Sequence, residues 1–278
     1  MTSKVVLITG CSTGIGRTTA EHLAQRGWTV YATARRPEVI ADLEEKGCRT
    51  LALDVTDEES MRAAVSAVEQ AEGSVGVLVN NAGYSQSGAV EEVAMDQVRR
   101  QFDTNVFGLL RMCQLVLPGM RRQGWGKIVN VSSMGGRLVF PGGGIYHGTK
   151  FAVEAISDAL RWEVRGFGVD VILIEPGLIK TEFGETAAHS VNDATPAEGP
   201  YAEFNQMVAA TTVGAYEGRG AAGPEAVAKT IERAISRRRP GSRYLVTAGA
   251  RVLLNVRRVL PDRGWDALMR TQFKAPKG

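Results

Sequence analysis

Short apolar runs alternate with longer amphipathic stretches along most of the chain. Apolar, β-branched runs indicate buried strands, whereas apolar positions every three or four residues indicate helices. The pattern predicts strands at 5–8, 28–33, 51–55, 77–79, 127–131, 169–174 and 242–247. It predicts helices from a glycine-rich turn to about residue 26 and at 57–72, 95–122, 145–167, 224–237 and 250–269, the last broken at Pro261. This alternation predicts an α/β fold, a doubly wound parallel sheet of about seven strands with helices on both faces.

Two parts of the chain depart from the alternation. From 182 to 223 the pattern gives way to Ala, Thr, Gly and Glu with scattered aromatic residues, and we expect a mobile flap over a substrate there. Residues 250–278 form a C-terminal helical extension. Neither an internal repeat nor a second core is evident, so we expect residues 1–278 to form a single domain.

The first predicted strand ends in a glycine-rich turn. Gly10, Gly14 and Gly16 let the backbone turn sharply and approach a ligand closely. The helix behind them offers free N–H groups and a positive dipole end to a pyrophosphate. The spacing is not the G-x-G-x-x-G fingerprint of dinucleotide sites. A purely structural loop is the alternative, but the position between the first strand and the first helix favours phosphate binding.

Two arginines follow the second predicted strand. Ala34, Arg35 and Arg36 stand where a doubly wound sheet usually carries an acidic residue that binds the adenosine ribose. Guanidinium groups suit a phosphate instead, so this segment predicts NADP(H) with its 2′-phosphate rather than NAD(H). The alternative is that both arginines are merely solvated.

Residues of interest recur at the carboxyl ends of the predicted strands. Ligands of such sheets bind in the crevice beyond these ends. The residues at the carboxyl ends of predicted strands are Gly10, Ala34, Asp54, Asn81, Ser133 and Pro176. We therefore expect them to form one site.

The strongest chemical pattern is a serine thirteen positions before a tyrosine, with a lysine four positions after it. Ser133 ends a predicted strand, and Tyr146 and Lys150 lie one turn apart on one helix face. An ammonium group beside a phenol favours the phenolate, so we expect the pKa of Tyr146 to lie below its usual value of about 10. Such a tyrosine can give or take a proton while the serine binds the reacting oxygen. Solvated helix surface is the alternative for an isolated Tyr-x-x-x-Lys pair.

Composition limits the other classes of function. The chain has 278 residues, 44% of them hydrophobic, and a net charge of +3. Its three cysteines and three histidines form neither a C-x-x-C pair nor a cluster, so we expect buried thiols and no metal. The first residues run directly into an apolar strand, so we expect no cleavable signal. No apolar run approaches the roughly 20 residues of a membrane-spanning helix. We expect a cytoplasmic protein with no nucleic-acid partner.

Basic residues are concentrated at the C-terminal end. Residues 229–278 hold 13 Lys and Arg against 3 Asp and Glu. As a helix, 250–260 places Val252, Leu253, Val256 and Leu260 on one side and Arg251, Asn255 and Arg258 on the other. This pattern suits a peripheral contact with a lipid surface or a shield over the substrate pocket. The alternative is ordinary packing against the domain or a neighbouring subunit.

These motifs together carry a family resemblance. The set is Thr9-Gly10-x-x-x-Gly14-x-Gly16, Asn81-Ala82-Gly83, Asn105, Ser133, Tyr146, Lys150 and Pro176-Gly177, in that order. With it the chain resembles the classical short-chain dehydrogenase/reductase family over about residues 4–250, which implies a Rossmann-like fold. The resemblance implies Tyr146 as the catalytic acid/base, Lys150 as its partner, Ser133 as the group that orients the substrate oxygen, and Asn105 as the holder of a relay water.

The resemblance also implies a set of cofactor contacts. Asp54 and the Asn81 segment would flank the adenine, and Thr181 would meet the nicotinamide end. The full implied set is Gly10, Ser12, Thr13, Gly14, Ile15, Gly16, Arg35, Asp54, Val55, Asn81, Ala82, Gly83, Tyr146, Lys150, Pro176, Gly177, Ile179 and Thr181. His147 departs from the small residue common after the tyrosine, and we interpret it as a structural variation.

Three functions are compatible with this resemblance. The leading one is an NADP(H)-dependent reduction of a carbonyl, or oxidation of an alcohol, on a lipophilic substrate. The chain is similar to hydroxysteroid and retinol dehydrogenases and to acyl-dihydroxyacetone-phosphate reductases, and family members usually form dimers or tetramers. The alternatives are a non-catalytic NADP(H)-binding regulator and a same-fold epimerase or dehydratase. The intact catalytic set disfavours the regulator, because binding alone needs no proton donor.

Overall fold

A computed structural model describes residues 4–194, 198–218 and 220–276. Its centre is one sheet of seven strands that are all parallel. The strands are β1 Val5–Ile8, β2 Thr29–Ala34, β3 Arg49–Ala52, β4 Val77–Asn80, β5 Gly126–Val131, β6 Val169–Glu175 and β7 Arg243–Leu245. The predicted doubly wound parallel sheet is confirmed.

The strand order places a ligand crevice at the middle of the sheet. The order is β3-β2-β1-β4-β5-β6-β7, so the chain winds in one direction up to β3 and then returns to the other side of β1. The loops after β1 and β4 therefore diverge to opposite faces, which opens a crevice at their carboxyl ends. The glycine-rich turn follows β1, and Asn81 follows β4.

Helices cover both faces of this sheet. They are α1 Gly14–Gln25, α2 Glu58–Glu72, α3 Met95–Phe102, α4 Leu109–Gln123, α5 Gly144–Val164, α6 Glu182–Ala194, α7 Ala202–Glu217, α8 Pro224–Ile235, α9 Ala248–Val259 and α10 Asp262–Arg270. Alternate residues of a strand face opposite ways. Leu7 therefore joins the core beneath α2, α4 and α5, while Val6 and Ile8 join the core beneath α1 and α8.

The structure corrects the prediction of one continuous helix at 95–122. Between α3 and α4 lies a π-helical segment, Asp103–Gly108, that contains Asn105. A π-helix adds a residue to the turn and is common at functional sites. The strand predicted at 51–55 also ends earlier, at Ala52, so Asp54 and Val55 lie in the loop beyond it.

The segment 182–223, where the pattern indicated no regular element, is largely helical. Two helices, α6 and α7, occupy most of this segment, while 195–197 and 219 lie outside the described residues. The sequence of α6 does not show a clean apolar period, because this helix buries small side chains such as Ala187 and Ala188. Whether the segment moves over a substrate stays a prediction.

The C-terminal extension packs against the loops around the predicted site. Leu254 of α9 and Trp265 of α10 are buried in a cluster with Met134 and Leu138, which follow β5. The apolar side differs from the predicted one: Leu253 and Val256 pack inward, but Val252 is 61% exposed. None of the helices in the described ranges is long and apolar enough to cross a membrane.

Candidate active site

The turn between β1 and α1 forms a cradle of backbone. Gly10 and Gly14 have φ angles of +71° and +56°, in the left-handed region where a side chain causes strain. A Cβ on Gly16 would collide with the carbonyl oxygen of Gly10. No side chain caps the first turn of α1, whose N–H groups therefore stay available to an anion. The cradle fits the pyrophosphate of a dinucleotide.

The other residues of this turn differ in exposure. Ser12 and Thr13 are exposed, whereas Ile15 packs against the core on the α1 side of the sheet. The predicted contacts at Ser12, Thr13 and Ile15 are therefore accessible in different degrees.

Asn81 ties the cradle to the end of β4. Its Nδ2 donates to the carbonyl oxygens of Thr9 and Gly10, at 3.0 and 2.9 Å. Thr9 forms a second connection between the same two segments, because its Oγ1 accepts hydrogen bonds from the backbone N–H groups of Asn81 and Ala82, both at 3.0 Å. Ala82 also lies close enough that a Cβ on Gly10 would be 2.8 Å from its Cα. The Asn81 side chain thus shapes the cradle.

The ends of β2 and β3 lie side by side at the same edge. Leu53 N–H donates to the Ala34 carbonyl at 2.9 Å, which holds the loop with Asp54 beside Arg35. Arg35 is exposed and has no side-chain partner among the described residues. Asp54 Oδ1 accepts from the N–H and hydroxyl of Thr56, at 2.9 and 2.7 Å. Arg35 is therefore a free cation beside a carboxylate that is already held.

Asn105 braces the loop that follows Gly83. Its Oδ1 accepts from Tyr84 N–H at 3.1 Å, and its Nδ2 donates to the Tyr84 carbonyl at 2.9 Å and to Thr149 Oγ1 at 3.1 Å. A Cβ on Gly83 would lie 3.0 Å from Asn105 Oδ1. Since Thr149 precedes Lys150 on α5, these bonds connect the π-helix, the Asn81 segment and the helix of the predicted acid/base.

Ser133, Tyr146 and Lys150 come together beside the end of β5. The Ser133 hydroxyl lies within hydrogen-bonding reach of the Tyr146 phenol. Lys150 Nζ lies 5.8 Å from the centre of the Tyr146 ring and donates to the Val131 carbonyl at 2.8 Å. Lys150 is only 6% exposed. The predicted grouping of these three side chains matches this arrangement.

The predicted direction of the Tyr146 pKa shift is wrong for this structure. Burial raises the pKa of Tyr146 to about 12, and the hydrogen bond from Ser133 only partly opposes this. Burial also lowers the pKa of Lys150 to about 8, against the raising effect of Glu154. The charge on Lys150 alone would lower the pKa of Tyr146, but the removal of both groups from water favours their neutral forms and outweighs it.

The loop after β6 completes the site. Pro176 accepts a hydrogen bond from Met134 N–H at 2.8 Å, and a Cβ on Gly177 would collide with Thr247 at the start of α9. Ile179 is buried. Thr181 reaches the glycine-rich turn, since a Cβ on Gly14 would lie 3.2 Å from its Cγ2. The structure therefore brings residues after β1, β4, β5 and β6 into contact, as expected of one site.

Aromatic side chains of the predicted flap approach the tyrosine. The ring centres of Phe183 and Tyr146 are 5.5 Å apart, and those of Phe183 and Tyr216 are 6.1 Å apart. Tyr216 also lines a cavity of about 360 Å³ with Thr181. Tyr201 and Phe204 instead pair with each other, and the Tyr201 hydroxyl donates to Glu91 at 2.6 Å. Of these four aromatic side chains, Phe183 packs on Tyr146 and Tyr216 packs on Phe183, whereas Tyr201 and Phe204 pair elsewhere.

The sequence indicated no site role for three residues that hold the site together, Thr9, Thr149 and His147. Thr9 and Thr149 accept or donate the hydrogen bonds described above, and His147 packs directly against Tyr146 with 5.5 Å between ring centres. Both threonines adjoin recognised residues, Gly10 and Lys150. A polar residue next to a predicted site residue, at a strand end or on a buried helix face, was the available signal.

Comparison with known proteins decides the family. Residues 4–192 match the family model described as short chain dehydrogenase. The chain belongs to this family. It is 37% identical over 254 residues to a 3-ketodihydrosphingosine reductase of Bacteroides thetaiotaomicron, covering 91% of each chain. It is 33% identical over 283 residues to an NADPH-dependent 3-dehydrocapnine reductase of Ornithobacterium rhinotracheale, covering 98% of each.

A solved structure of the same family agrees with the fold. A short-chain dehydrogenase from Streptomyces avermitilis superimposes with a TM-score of 0.79 at 34% identity, covering 97% of this chain and 98% of that one. As a member of the short-chain dehydrogenase family, this chain is an oxidoreductase that acts on alcohol or carbonyl groups with a nicotinamide cofactor. The backbone cradle of Gly10, Gly14 and Gly16 fits such a cofactor.

Proposed function

We propose that this enzyme is an NADP(H)-dependent reductase or dehydrogenase of a lipophilic carbonyl or secondary alcohol. The observation that carries this proposal is the arrangement of Tyr146, Ser133 and Lys150 at the carboxyl end of β5, next to the cradle. When bound, the nicotinamide supplies or accepts the hydride. The chain itself supplies the proton, holds the substrate oxygen and excludes water.

In this proposal Tyr146 is the proton donor to the substrate oxygen. With its pKa raised to about 12, the phenol is fully protonated at neutral pH, as carbonyl reduction requires. Ser133 lies within hydrogen-bonding reach of that phenol and would orient the same substrate oxygen. Lys150, held on the Val131 carbonyl, would stabilise the phenolate left after proton transfer.

The wider proton relay remains part of the proposal. Asn105 would support a relay water, because its side chain already holds Thr149 one residue before Lys150. The cofactor contacts proposed on the family pattern are Gly10, Ser12, Thr13, Gly14, Ile15, Gly16, Asp54, Val55, Asn81, Ala82, Gly83, Pro176, Gly177, Ile179 and Thr181. Tyr146 and Lys150 would contact the cofactor as well as the substrate.

The proposed preference for NADP(H) rests on Arg35. This arginine follows β2, is exposed, and has no competing carboxylate among its described contacts. A free guanidinium at the adenosine end of the site would bind a 2′-phosphate and gains nothing from a ribose hydroxyl. The Ornithobacterium relative, whose name includes NADPH dependence, supports the same choice.

The proposed lipophilic substrate rests on the surroundings of Tyr146. Phe183 and Tyr216 line its approach, and burial raises the pKa of the Tyr216 hydroxyl above its usual range. Such a wall favours an apolar group over a charged one. The names of the Bacteroides and Ornithobacterium relatives, 3-ketodihydrosphingosine reductase and 3-dehydrocapnine reductase, support the choice of a keto substrate with a long chain.

Measuring NADPH absorbance across a carbonyl panel tests this function. We expect consumption of NADPH with lipophilic ketones, faster than with small polar ketones or sugars. Conversion of a substrate without net consumption of NADPH would support an epimerase or dehydratase. Binding of NADPH without conversion of any carbonyl in the panel would support a regulator.

We also propose two surface contacts. The exposed side chains of Phe151 and Trp162, 44% and 68% accessible on α5, favour a homo-oligomer, which light scattering in solution would test. The outer face of α9 favours a peripheral contact with anionic lipid. Arg251 and Arg258 have no side-chain partner among the described residues, and they flank Val252 and Val259, which are 61% and 80% exposed.

A further inference from the structure

His147, the residue after the proposed proton donor, is held between two segments of backbone. It is 8% exposed, and its Nδ1 lies 3.1 Å from the carbonyl oxygen of Gly135. A carbonyl oxygen can only accept, so Nδ1 carries the proton and donates it. Burial lowers the pKa of His147 to about 4, although the bond to Gly135 opposes this, so the ring is neutral at physiological pH.

Two glycines leave the space that the imidazole fills. A Cβ built on Gly135 would lie 2.6 Å from His147 Cε1, and one on Gly143 would lie 2.7 Å from His147 Cδ2. Neither distance is compatible with an unshifted ring. Gly135 follows Ser133 in the turn after β5, whereas Gly143 immediately precedes α5. The ring is therefore a spacer between the turn that carries Ser133 and the helix that carries Tyr146.

Gly135 connects this spacer directly to the serine. Its N–H donates to Ser133 Oγ at 3.0 Å, while its carbonyl accepts from His147. On the helix side, the His147 ring packs edge-on against Tyr146, with 5.5 Å between ring centres. Any displacement of the imidazole would therefore be transmitted to Ser133 through Gly135 and to Tyr146 through ring contact.

We propose that His147 is a positioning residue that sets the distance between the Ser133 hydroxyl and the Tyr146 phenol. The proposal rests on the roles proposed above for Ser133 and Tyr146. It gives His147 no direct part in proton transfer. It also accounts for Gly135 and Gly143, which keep the ring in place by the absence of their side chains.

A double-mutant cycle on turnover tests this role. Gly135→Ala would push the ring out of its seat, and His147→Ala would remove it. Because a displacement of about 1 Å can cost about 10²-fold in rate, we expect each single variant to lower kcat by about tenfold or more. We expect KM for NADPH to stay near the wild-type value, because neither residue adjoins the glycine-rich cradle.

The combined variant distinguishes positioning from general damage. The methyl group of Gly135→Ala fits into space that His147→Ala vacates, so the double variant should lose much less than the product of the two single losses. His147→Asn, which retains an N–H donor at reduced size, should recover part of the lost kcat. Gly249→Ala is the matched control, because a Cβ there meets nothing within 4 Å.

Two results would overturn the proposal: multiplicative losses in the double variant, or a wild-type kcat in both single variants. If the His147→Ala protein does not fold, the Gly135→Ala and His147→Asn variants still decide, because an unchanged kcat in both would refute positioning. Tyr146→Phe separates this failure from that of the proposed function. If Tyr146→Phe abolishes turnover while the His147 and Gly135 variants do not change it, only the positioning role is wrong.

Discussion

Lys150 Nζ donates a hydrogen bond to the carbonyl oxygen of Val131, 2.8 Å away, at the last residue of β5. This bond anchors the ammonium group beside Tyr146 and uses one of its three N–H donors. In the proposed function, the remaining donors would act on the tyrosine and on a ribose of the cofactor. The charge on Lys150 is weakly held, however, because burial lowers its pKa to about 8.

We therefore predict a loss of activity as the pH rises through about 8. The free enzyme keeps Lys150 charged below this pKa and loses the charge above it, whereas Tyr146 stays protonated up to about pH 12. The profile of kcat/KM for NADPH reports the free enzyme and should fall on its alkaline side. An arginine at this position cannot lose its charge, so in Lys150→Arg the alkaline fall of the profile should move to higher pH even if the overall rate is lower. A wild-type profile that stays flat across pH 8, or an unshifted limb in the variant, would contradict this assignment.

We predict that Arg35→Ala weakens NADP(H) binding and leaves NAD(H) binding unchanged. A charge-assisted hydrogen bond contributes about 1.5–3 kcal/mol, which corresponds to about ten- to a hundredfold in affinity. Titration of both cofactors into the wild type and the variant measures this. Arg99→Ala is the control, since Arg99 is another exposed arginine, on α3. Equal affinities of the wild type for the two cofactors would refute the preference.

We predict that Phe183→Ala lowers the selectivity for long-chain ketones. Phe183 packs on Tyr146 and Tyr216, so its removal takes apolar surface from the substrate approach. The loss in kcat/KM should be about tenfold or more for a long-chain ketone and smaller for a short one. Phe204→Ala is the control, because Phe204 pairs with Tyr201 and not with Tyr146. The same loss for both chain lengths would show that Phe183 only supports the fold.

We predict that the outer face of α9 binds anionic vesicles at low salt. Each basic residue near such a surface adds about 1 kcal/mol, so Arg251→Glu with Arg258→Glu should lower binding by about 10²-fold or more. Arg99→Glu with Lys229→Glu changes the net charge equally at other exposed sites and serves as the control in co-sedimentation. If the wild type does not bind these vesicles, or both double variants lose binding equally, α9 has no specific lipid contact and its role is packing.

The regular part of the fold could be predicted from the sequence because its helices and strands have strong local patterns. β1 begins and ends where its apolar run does, at Val5–Ile8. The parallel arrangement of the strands follows from the alternation of strands and helices. α6 and α7 could not be predicted, since α6 buries small residues and the two helices pack against each other. The π-helical turn at Asn105 could not be predicted either, because the hydrogen bonds of the Asn105 side chain to Tyr84 and Thr149 join distant parts of the chain.

The candidate site shows the same division. The sequence spacing of Ser133, Tyr146 and Lys150 predicted that they meet, because spacing along one helix and at strand ends fixes position. The sequence could not predict the pKa of Tyr146, which depends on how completely the folded chain removes the phenol from water. The sequence also did not predict the space that the His147 ring fills, because this space lies between Gly135 and Gly143, which come together only in the folded chain.

In the proposed function, Tyr146 donates the proton during NADPH-dependent reduction of a carbonyl. The most direct measurement is steady-state turnover of Tyr146→Phe with a ketone that the wild type reduces, together with NADPH binding by titration. We expect turnover to fall by at least about 10²-fold, because a general acid is lost, while the affinity for NADPH stays close to that of the wild type. Turnover near the wild-type rate in Tyr146→Phe would contradict this role.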